Sequence, residues 1–256
     1  MGVRKIKQSV RRILLLSVWV SSATLFIVIL SSSIASQKGQ SCKNICIKID
    51  HNTGLFFIEE NDIKSTILAY CGDSLNNMKV RDADFAEIEQ RLEKNPYISN
   101  VEIYSNIKGS VNVEIKQREP LMRVVNNKGV SFYIDRFGEI MPLSSKFTAR
   151  VVVATGDIDN EADKEILQGL YRLAEYISED KFWNAQFEQI YVTENREIEL
   201  VPKLGKHIIK IGKVEDLESK FEKLMIFYTE VLKNVEADAY KMVNVKFKDQ
   251  IICSKR

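Results

Sequence analysis

The pattern of apolar and polar positions along the chain changes at about residue 40. Before this point a run without charge, Gly or Pro extends from Ile13 to Gln37, and its strongly apolar part is Ile13 to Leu30. A helix of about 18 residues is roughly 27 Å long and just crosses a bilayer core. The pattern predicts a single transmembrane helix, with residues 13–37 as the anchor and residues 1–12 as the tail.

A cleaved signal peptide is the alternative explanation of this segment. Ser33-Ile34-Ala35, before Ser36, has the small-x-small character of a cleavage site. The apolar run nevertheless exceeds the about 7 to 15 residues that are usual for a signal peptide. Its length therefore favours a retained anchor.

Beyond Cys42 the periodicity changes between strand and helix. Ile45, Ile47 and Ile49 alternate with mostly polar residues, which predicts a half-buried strand. The next predicted elements are helices at Asn61–Ala69 and Asp82–Lys94, the second capped by Asp82, and a hairpin at Ile98–Ile103 and Val111–Ile115. The order β-α-α-β-β predicts a module over residues 42–119, with two helices on one face of a three-stranded sheet.

Residues 120–256 are predicted to form a larger mixed β domain with flanking helices, so the fold class is α+β. Helices are expected at Glu161–Ser178 and Val214–Val235 from their apolar stripes. Asp135 to Gly138 is typical of a hairpin turn in which Gly138 has a positive φ. The predicted strands are Arg123–Val125, Val130–Ile134, Glu139–Met141, Arg150–Val153, Ile190–Thr193, Ile198–Val201, His207–Ile211 and Val243–Phe247.

The terminal strand, Val243–Phe247, is the candidate binding site. Its apolar residues alternate with Asn244, Lys246 and Lys248, so one face is expected to be buried and the other wet. As the last strand of its sheet it can present unpaired N–H and C=O groups to a partner strand. Lysines also protect exposed edges against pairing, so the residues alone leave both interpretations open.

The charge distribution indicates topology. Five basic residues precede the apolar run and only Lys38 and Lys43 follow it closely, so the N-terminus is expected in the cytoplasm and the bulk of the chain outside it. Without those five, the 37 basic residues fall to 32 against 35 acidic ones, a net charge of −3 for the exported part. Nucleic-acid binding is therefore not expected.

The sequence contains no recognisable catalytic, metal-binding or cofactor-binding pattern. HExxH, P-loop, GxGxxG and GxSxG motifs do not occur. His51 and His207 lie a whole domain apart and are interpreted as surface or strand-end residues. Trp183 is interpreted as core packing rather than as a platform for a sugar.

The cysteines leave two interpretations open. All four, Cys42, Cys46, Cys71 and Cys253, follow the anchor, where disulfides can form. Cys42 and Cys46 cannot bridge each other along a strand, because four residues span about 13 Å. Buried free thiols are one interpretation, and a bridge between Cys42 and Cys71 is the other.

Several motifs, in order over nearly the whole chain, resemble the FtsQ/DivIB family of bacterial division proteins. The β-α-α-β-β order is also that of POTRA modules. The motifs are Asn95-Pro96-Tyr97-Ile98-Ser99-Asn100-Val101, Gln117-Arg118-Glu119-Pro120, Tyr133-Ile134-Asp135-Arg136-Phe137-Gly138-Glu139-Ile140, Leu204-Gly205-Lys206-His207 and Val243-Asn244-Val245-Lys246-Phe247-Lys248-Asp249-Gln250-Ile251.

The resemblance implies a non-catalytic, single-pass scaffold of septal cell-wall synthesis in the bacterial inner membrane. It implies binding of division proteins of the FtsB and FtsL type through the second domain, without cofactor, nucleic acid or small-molecule substrate. The alternatives are a membrane-anchored cell-wall hydrolase or transferase, which would need paired acids in an aromatic cleft, and a POTRA chaperone of outer-membrane assembly. The candidate partner-binding residues are Asn244, Val245, Lys246, Phe247 and Lys248.

Overall fold

The computed structural model describes residues 17–29, 44–71, 84–106, 109–159, 163–236 and 238–256. Residues 17–29 form helix α1, and all of its side chains are exposed. Within the described ranges, no helix combines the length and the apolar character that crossing a membrane requires. The predicted tail, the two ends of the predicted 13–37 anchor, Cys42 and Asp82 lie outside the described residues.

The described chain divides into two compact units, and the first contains the β-α-α-β-β order predicted from the sequence. Its strands form a three-stranded sheet in the order β1-β3-β2, in which β1 is parallel to β3. Its elements are β1 (Asn44–Ile49), α2 (Glu60–Cys71), α3 (Phe85–Glu93) and most of β2 (Ile98–Ser105) and β3 (Ser110–Gln117).

The apolar stripes of the two helices supply the core of the first unit, as the i, i+4 spacing predicts. The cap of α3 differs from the prediction, because Asp84 rather than Asp82 accepts the Glu87 N–H, at 3.1 Å. Glu89 Oε1 also accepts the Ile103 N–H of β2 at 2.7 Å. The buried helix residues are Ile63, Ile67, Ile88 and Leu92.

The second unit is built on a nine-stranded sheet of the described residues, in the order β12-β11-β10-β9-β8-β7-β4-β5-β6. Strand β7 is parallel to both β4 and β8, and β10 is parallel to β11. Its elements are β4 (Pro120–Val125), β5 (Ser131–Asp135), β6 (Ile140–Pro142), β7 (Val152–Gly156), α4 (Lys164–Glu179), α5 (Lys181–Gln186), β8 (Phe187–Val192), β9 (Ile198–Pro202), β10 (Ile208–Gly212), α6 (Leu217–Ile226), β11 (Tyr240–Asn244) and β12 (Ile252–Lys255).

One row of apolar side chains crosses this sheet and forms the floor of its core. Residues in register on neighbouring strands point to the same face, so the row is continuous from β4 to β11. Helices α4, α5 and α6 contribute to the same core. The α+β class with a large sheet is thus confirmed. The row consists of Val124, Ala154, Ile190, Leu200, Ile209 and Val243, all fully buried.

Two local predictions have different outcomes. Gly138 has a φ of 80°, as predicted, and Asp135 Oδ1 accepts the Phe137 and Glu139 N–H groups across the turn, each at 2.9 Å. The prediction of one regular α-helix over Val214–Val235 is wrong. The segment runs as α6, then as a π turn at Phe227–Val231 and a 3₁₀ turn at Leu232–Asn234. The wider π turn allows the adjacent Phe227 and Tyr228 both to contact the core.

Candidate functional site

The predicted docking residues lie at the end of β11 and in the turn that follows it. Strand β11 ends at Asn244, and the chain then turns toward β12. The predicted strand Val243–Phe247 is therefore misplaced, and it is not the last strand of the sheet. Parallel pairing with β10, in which Lys210 is in register with Asn244, sets the position of β11.

The five candidate residues have different environments. Val245 is fully buried, as alternation predicts, whereas Phe247, which was predicted to face the core, is 44% exposed. Asn244 is half-buried, and both Lys246 and Lys248 are exposed. Asn244 Oδ1 accepts the Lys246 N–H at 3.0 Å, and this side-chain cap ends the strand.

Strand β12 forms one edge of the large sheet. Among the described strands it pairs only with β11, antiparallel, with Cys253 in register with Val243. The Arg256 N–H donates to Ala239 O at 3.2 Å, on the β11 side. Because N–H direction alternates along a strand, the N–H groups of Cys253 and Lys255 point away from β11. These two donors lie on the open edge of the sheet.

The edge and the preceding turn are basic. Residues 238–256 carry five basic and two acidic side chains, so the local net charge is +3. A surface of this kind favours an acidic partner segment and would speed its association at low salt. The basic residues are Lys241, Lys246, Lys248, Lys255 and Arg256, and the acidic ones are Asp238 and Asp249.

Sequence reasoning missed a side chain that donates three hydrogen bonds to this turn. Lys223, on α6, donates from Nζ to the backbone oxygens of Val245, at 3.1 Å, and Lys248, at 3.2 Å, and also to that of Phe247. The acceptors are backbone atoms at a sequence separation of 22 to 25 residues. No side-chain motif could have identified this contact.

The aromatic and histidine predictions are partly confirmed. Trp183 is 4% exposed and packs against Phe187 and Phe221, with ring centroids 5.7 and 5.1 Å away, so it belongs to the core as predicted. His207 immediately precedes β10 but is 1% exposed, beside the Phe227 ring. Its interpretation as a strand-end residue is correct, and its alternative interpretation as a surface residue is wrong.

The structure describes the thiols of two cysteines, Cys46 and Cys253. Cys46 is exposed on β1, and Cys253 is half-buried on β12, both as free thiols, so the interpretation as buried thiols is wrong for Cys46. Burial raises the pKa of the Cys253 thiol, so it remains neutral near pH 7. The proposed bridge between Cys42 and Cys71 includes a residue outside the described ranges.

Two grooves of the second unit have charged side chains in their lining. One is lined by Arg150, Lys203 and a single carboxylate, Glu188, and the other by Arg136 and a single carboxylate, Glu119. Neither groove brings two described carboxylates together, as general acid and base catalysis of glycoside cleavage requires. In the part of the chain that is described, no group of three or more His, Cys, Asp or Glu residues could hold a metal ion.

Comparisons with known proteins agree with this two-part organisation. The family described as "FtsQ/DivIB, C-terminal related" matches residues 119–254, and the family described as "POTRA-like domain" matches residues 40–116. The chain is 24% identical over 192 residues to the cell division protein FtsQ of Geotalea daltonii. The aligned region covers 72% of this chain and 66% of that protein, slightly less than two thirds of its length.

Proposed function

The chain belongs to the FtsQ/DivIB family of cell division proteins, and we propose that it acts in division as a non-catalytic membrane scaffold. In this proposal it recruits and positions division proteins of the FtsB and FtsL type for septal cell-wall synthesis. The single observation that carries the proposal is the open edge of β12, with its outward N–H groups and basic surroundings.

The proposed topology is bitopic, with residues 1–12 in the cytoplasm, 13–37 in the inner membrane, and domains at 42–119 and 120–256 outside the cytoplasm. The charge asymmetry around Ile13 to Leu30 supports it. Protease added to spheroplasts should digest the exported part and leave a short membrane-bound fragment. A mature protein that begins at Ser36 would instead indicate a cleaved signal peptide.

Partner docking is proposed to occur by strand addition to β12. An acidic partner strand would pair with the outward groups of Cys253 and Lys255, and Asn244, Val245, Lys246, Phe247 and Lys248 would flank it in the adjacent turn. Each of the two grooves described above is lined by a single described carboxylate. A hydrolase of the two-carboxylate type would need a second acid there.

The test uses Lys255→Pro in the full-length chain, expressed in its own host. Proline removes only the outward N–H at this position, and edge strands tolerate proline when the lost donor faces solvent. We expect partner division proteins to be lost from membrane pull-downs while the melting temperature is unchanged. Lys255→Ala is the matched control, because it loses the side chain but keeps the N–H, and it should retain the partners.

Retention of the partners by Lys255→Pro would show that β12 is only a protected edge. Lys246→Pro is a less suitable variant, because the Lys246 N–H donates to Asn244 Oδ1 within the turn. For the charge component, Lys248→Glu should weaken capture most at low salt, since screening shortens electrostatic reach to about 10 Å at 0.1 M.

A further inference from the structure

The ammonium group of Lys223 lies among three backbone oxygens of one turn. Its Nζ donates to Val245 O and Lys248 O, at 3.1 and 3.2 Å, and to Phe247 O. A lysine ammonium has three N–H donors, so these contacts satisfy all of them. Hydrogen bonds from a charged donor are about twice as strong as neutral ones, so one side chain holds three residues of the turn.

Further contacts hold the same turn at its beginning. The Val245 N–H donates to Lys210 O of β10 at 3.1 Å, and the Lys246 N–H donates to Asn244 Oδ1 at 3.0 Å. Lys246 Nζ also forms an ion pair with Glu197, beside β9. The first residue after β11 is therefore tied to the sheet, and Lys223 ties the later residues, Phe247 and Lys248, to α6.

The turn leads directly into β12, so its conformation sets how that edge is presented. A shift of pairing by one residue reverses the side-chain faces of a strand and exchanges its inward and outward N–H groups. An edge that is ordered before a partner arrives also loses less conformational freedom on binding. A residue that fixes the turn therefore fixes the docking register.

We propose that Lys223 is the positioning residue of the docking edge: its ammonium group clamps the carbonyl oxygens of the β11–β12 turn and thereby holds β12 in its pairing register. This inference rests on the proposed function, because it assigns the residue that prepares the same edge for an acidic partner strand. Lys223 itself does not contact the partner in this proposal. It acts through the turn.

The chain offers a matched control on the same helix. Lys220 of α6 is buried, whereas Lys223 is half-buried, and Lys220 Nζ likewise donates to a backbone oxygen, that of Lys213, at 2.7 Å. Its acceptor precedes α6 and is not part of the turn. Lys223→Met and Lys220→Met thus remove the same chemical group from one helix, and only the first change removes contacts with the turn.

The experiment measures amide hydrogen exchange in the free full-length protein, on peptides that cover residues 250–256. Lys223→Met should accelerate exchange there by about tenfold, the factor for losing roughly one charge-assisted hydrogen bond of local stability. Lys220→Met should leave exchange in these peptides as in the parent. Lys223→Gln, a milder variant, should fall between Lys223→Met and the parent.

Membrane pull-downs then test whether faster hydrogen exchange in residues 250–256 is accompanied by weaker capture of the partner. Lys223→Met should capture less partner than Lys220→Met does, at equal expression. Parental exchange in residues 250–256 of Lys223→Met and Lys223→Gln would overturn the positioning role, as would full capture despite accelerated exchange. Failure of the proposed function is a separate outcome, because it would appear as unimpaired capture of the partners by Lys255→Pro. The hydrogen-exchange measurement tests the role of Lys223 without any partner.

Discussion

Gly156, the last residue of β7, is the position at which a single methyl group should be most damaging. It has a φ of 106° and is in register with Val192 of β8. A Cβ at this position would lie 2.1 Å from Val192 O and 2.9 Å from Val192 C and N. All three are backbone atoms, so no side-chain rotation can relieve the overlap.

The expected cost of Gly156→Ala follows from three contributions. A positive φ of this kind costs a residue with a Cβ about 1–3 kcal/mol, and overpacking against a fixed wall adds about 1–3 kcal/mol. The Asp157 N–H donates to the same Val192 O at 2.8 Å. Moving that oxygen would weaken this hydrogen bond, at about 0.5–1.5 kcal/mol. Gly156→Ala should therefore lower the free energy of unfolding by about 2.5–7.5 kcal/mol, a large part of the about 5–15 kcal/mol typical of a domain.

The assay is denaturant unfolding followed by tryptophan fluorescence. Trp183 is 4% exposed in the core of the second unit, whereas Trp19 is 74% exposed, so the change in signal reports on the second unit. Gly129→Ala is the control, because Gly129 has a φ of 79° but no atom within 4 Å of an added Cβ. It should cost about 1 kcal/mol from backbone strain alone. If the two variants unfold at the same denaturant concentration, the inference that β8 leaves no room for a Cβ at Gly156 is refuted.

Two further predictions concern the second unit. Asp135→Asn should destabilise it by about 3–5 kcal/mol in the same fluorescence assay. The Asp135 side chain is 2% exposed and pairs with Arg118 at 2.7 Å, and the cost of leaving that guanidinium without its carboxylate is high. A loss below about 1 kcal/mol would contradict this reasoning. Burial raises the pKa of Tyr228 above 10.0, so the contribution of its neutral form to stability is fully present below pH 10. Above pH 10 the tyrosine loses its proton in the unfolded state alone, and the free energy of unfolding should fall by at most about 1.4 kcal/mol per pH unit. Tyr228→Phe should show a shallower alkaline decline than the parent, and equal slopes between pH 10 and 12 would refute this assignment.

Local sequence patterns were sufficient to predict the structure wherever the contacts that decide a conformation lie close in sequence. The turn at Gly138 is such a case, because the Asp135 carboxylate binds N–H groups only two and four residues away. The buried stripes of α2 and α3 follow from i, i+4 spacing in the same way. Both predictions depended on chemistry within one turn of the chain.

Other predictions failed because the deciding contacts are distant in sequence. The alternation from Val243 to Phe247 is real, yet pairing with β10 and the Asn244 side chain end the strand at Asn244. The four-residue β12 has too short a pattern to be recognised alone, and it exists because β11 offers it a pairing surface. Such pairing is non-local, so the sequence pattern carries only part of its determinants.

The amino-acid sequence by itself determined the division into an apolar N-terminal segment and two folded parts, the β-α-α-β-β order and the apolar faces, because these depend on residue type at short spacing. Only the tertiary structure decided that β7 lies between β4 and β8, that His207 is buried, and that Lys223 clamps the turn before the edge strand. The physical reason is the same in each case. Burial and backbone hydrogen bonding are satisfied between segments far apart in the chain, and their partners are fixed only when the whole sheet has assembled.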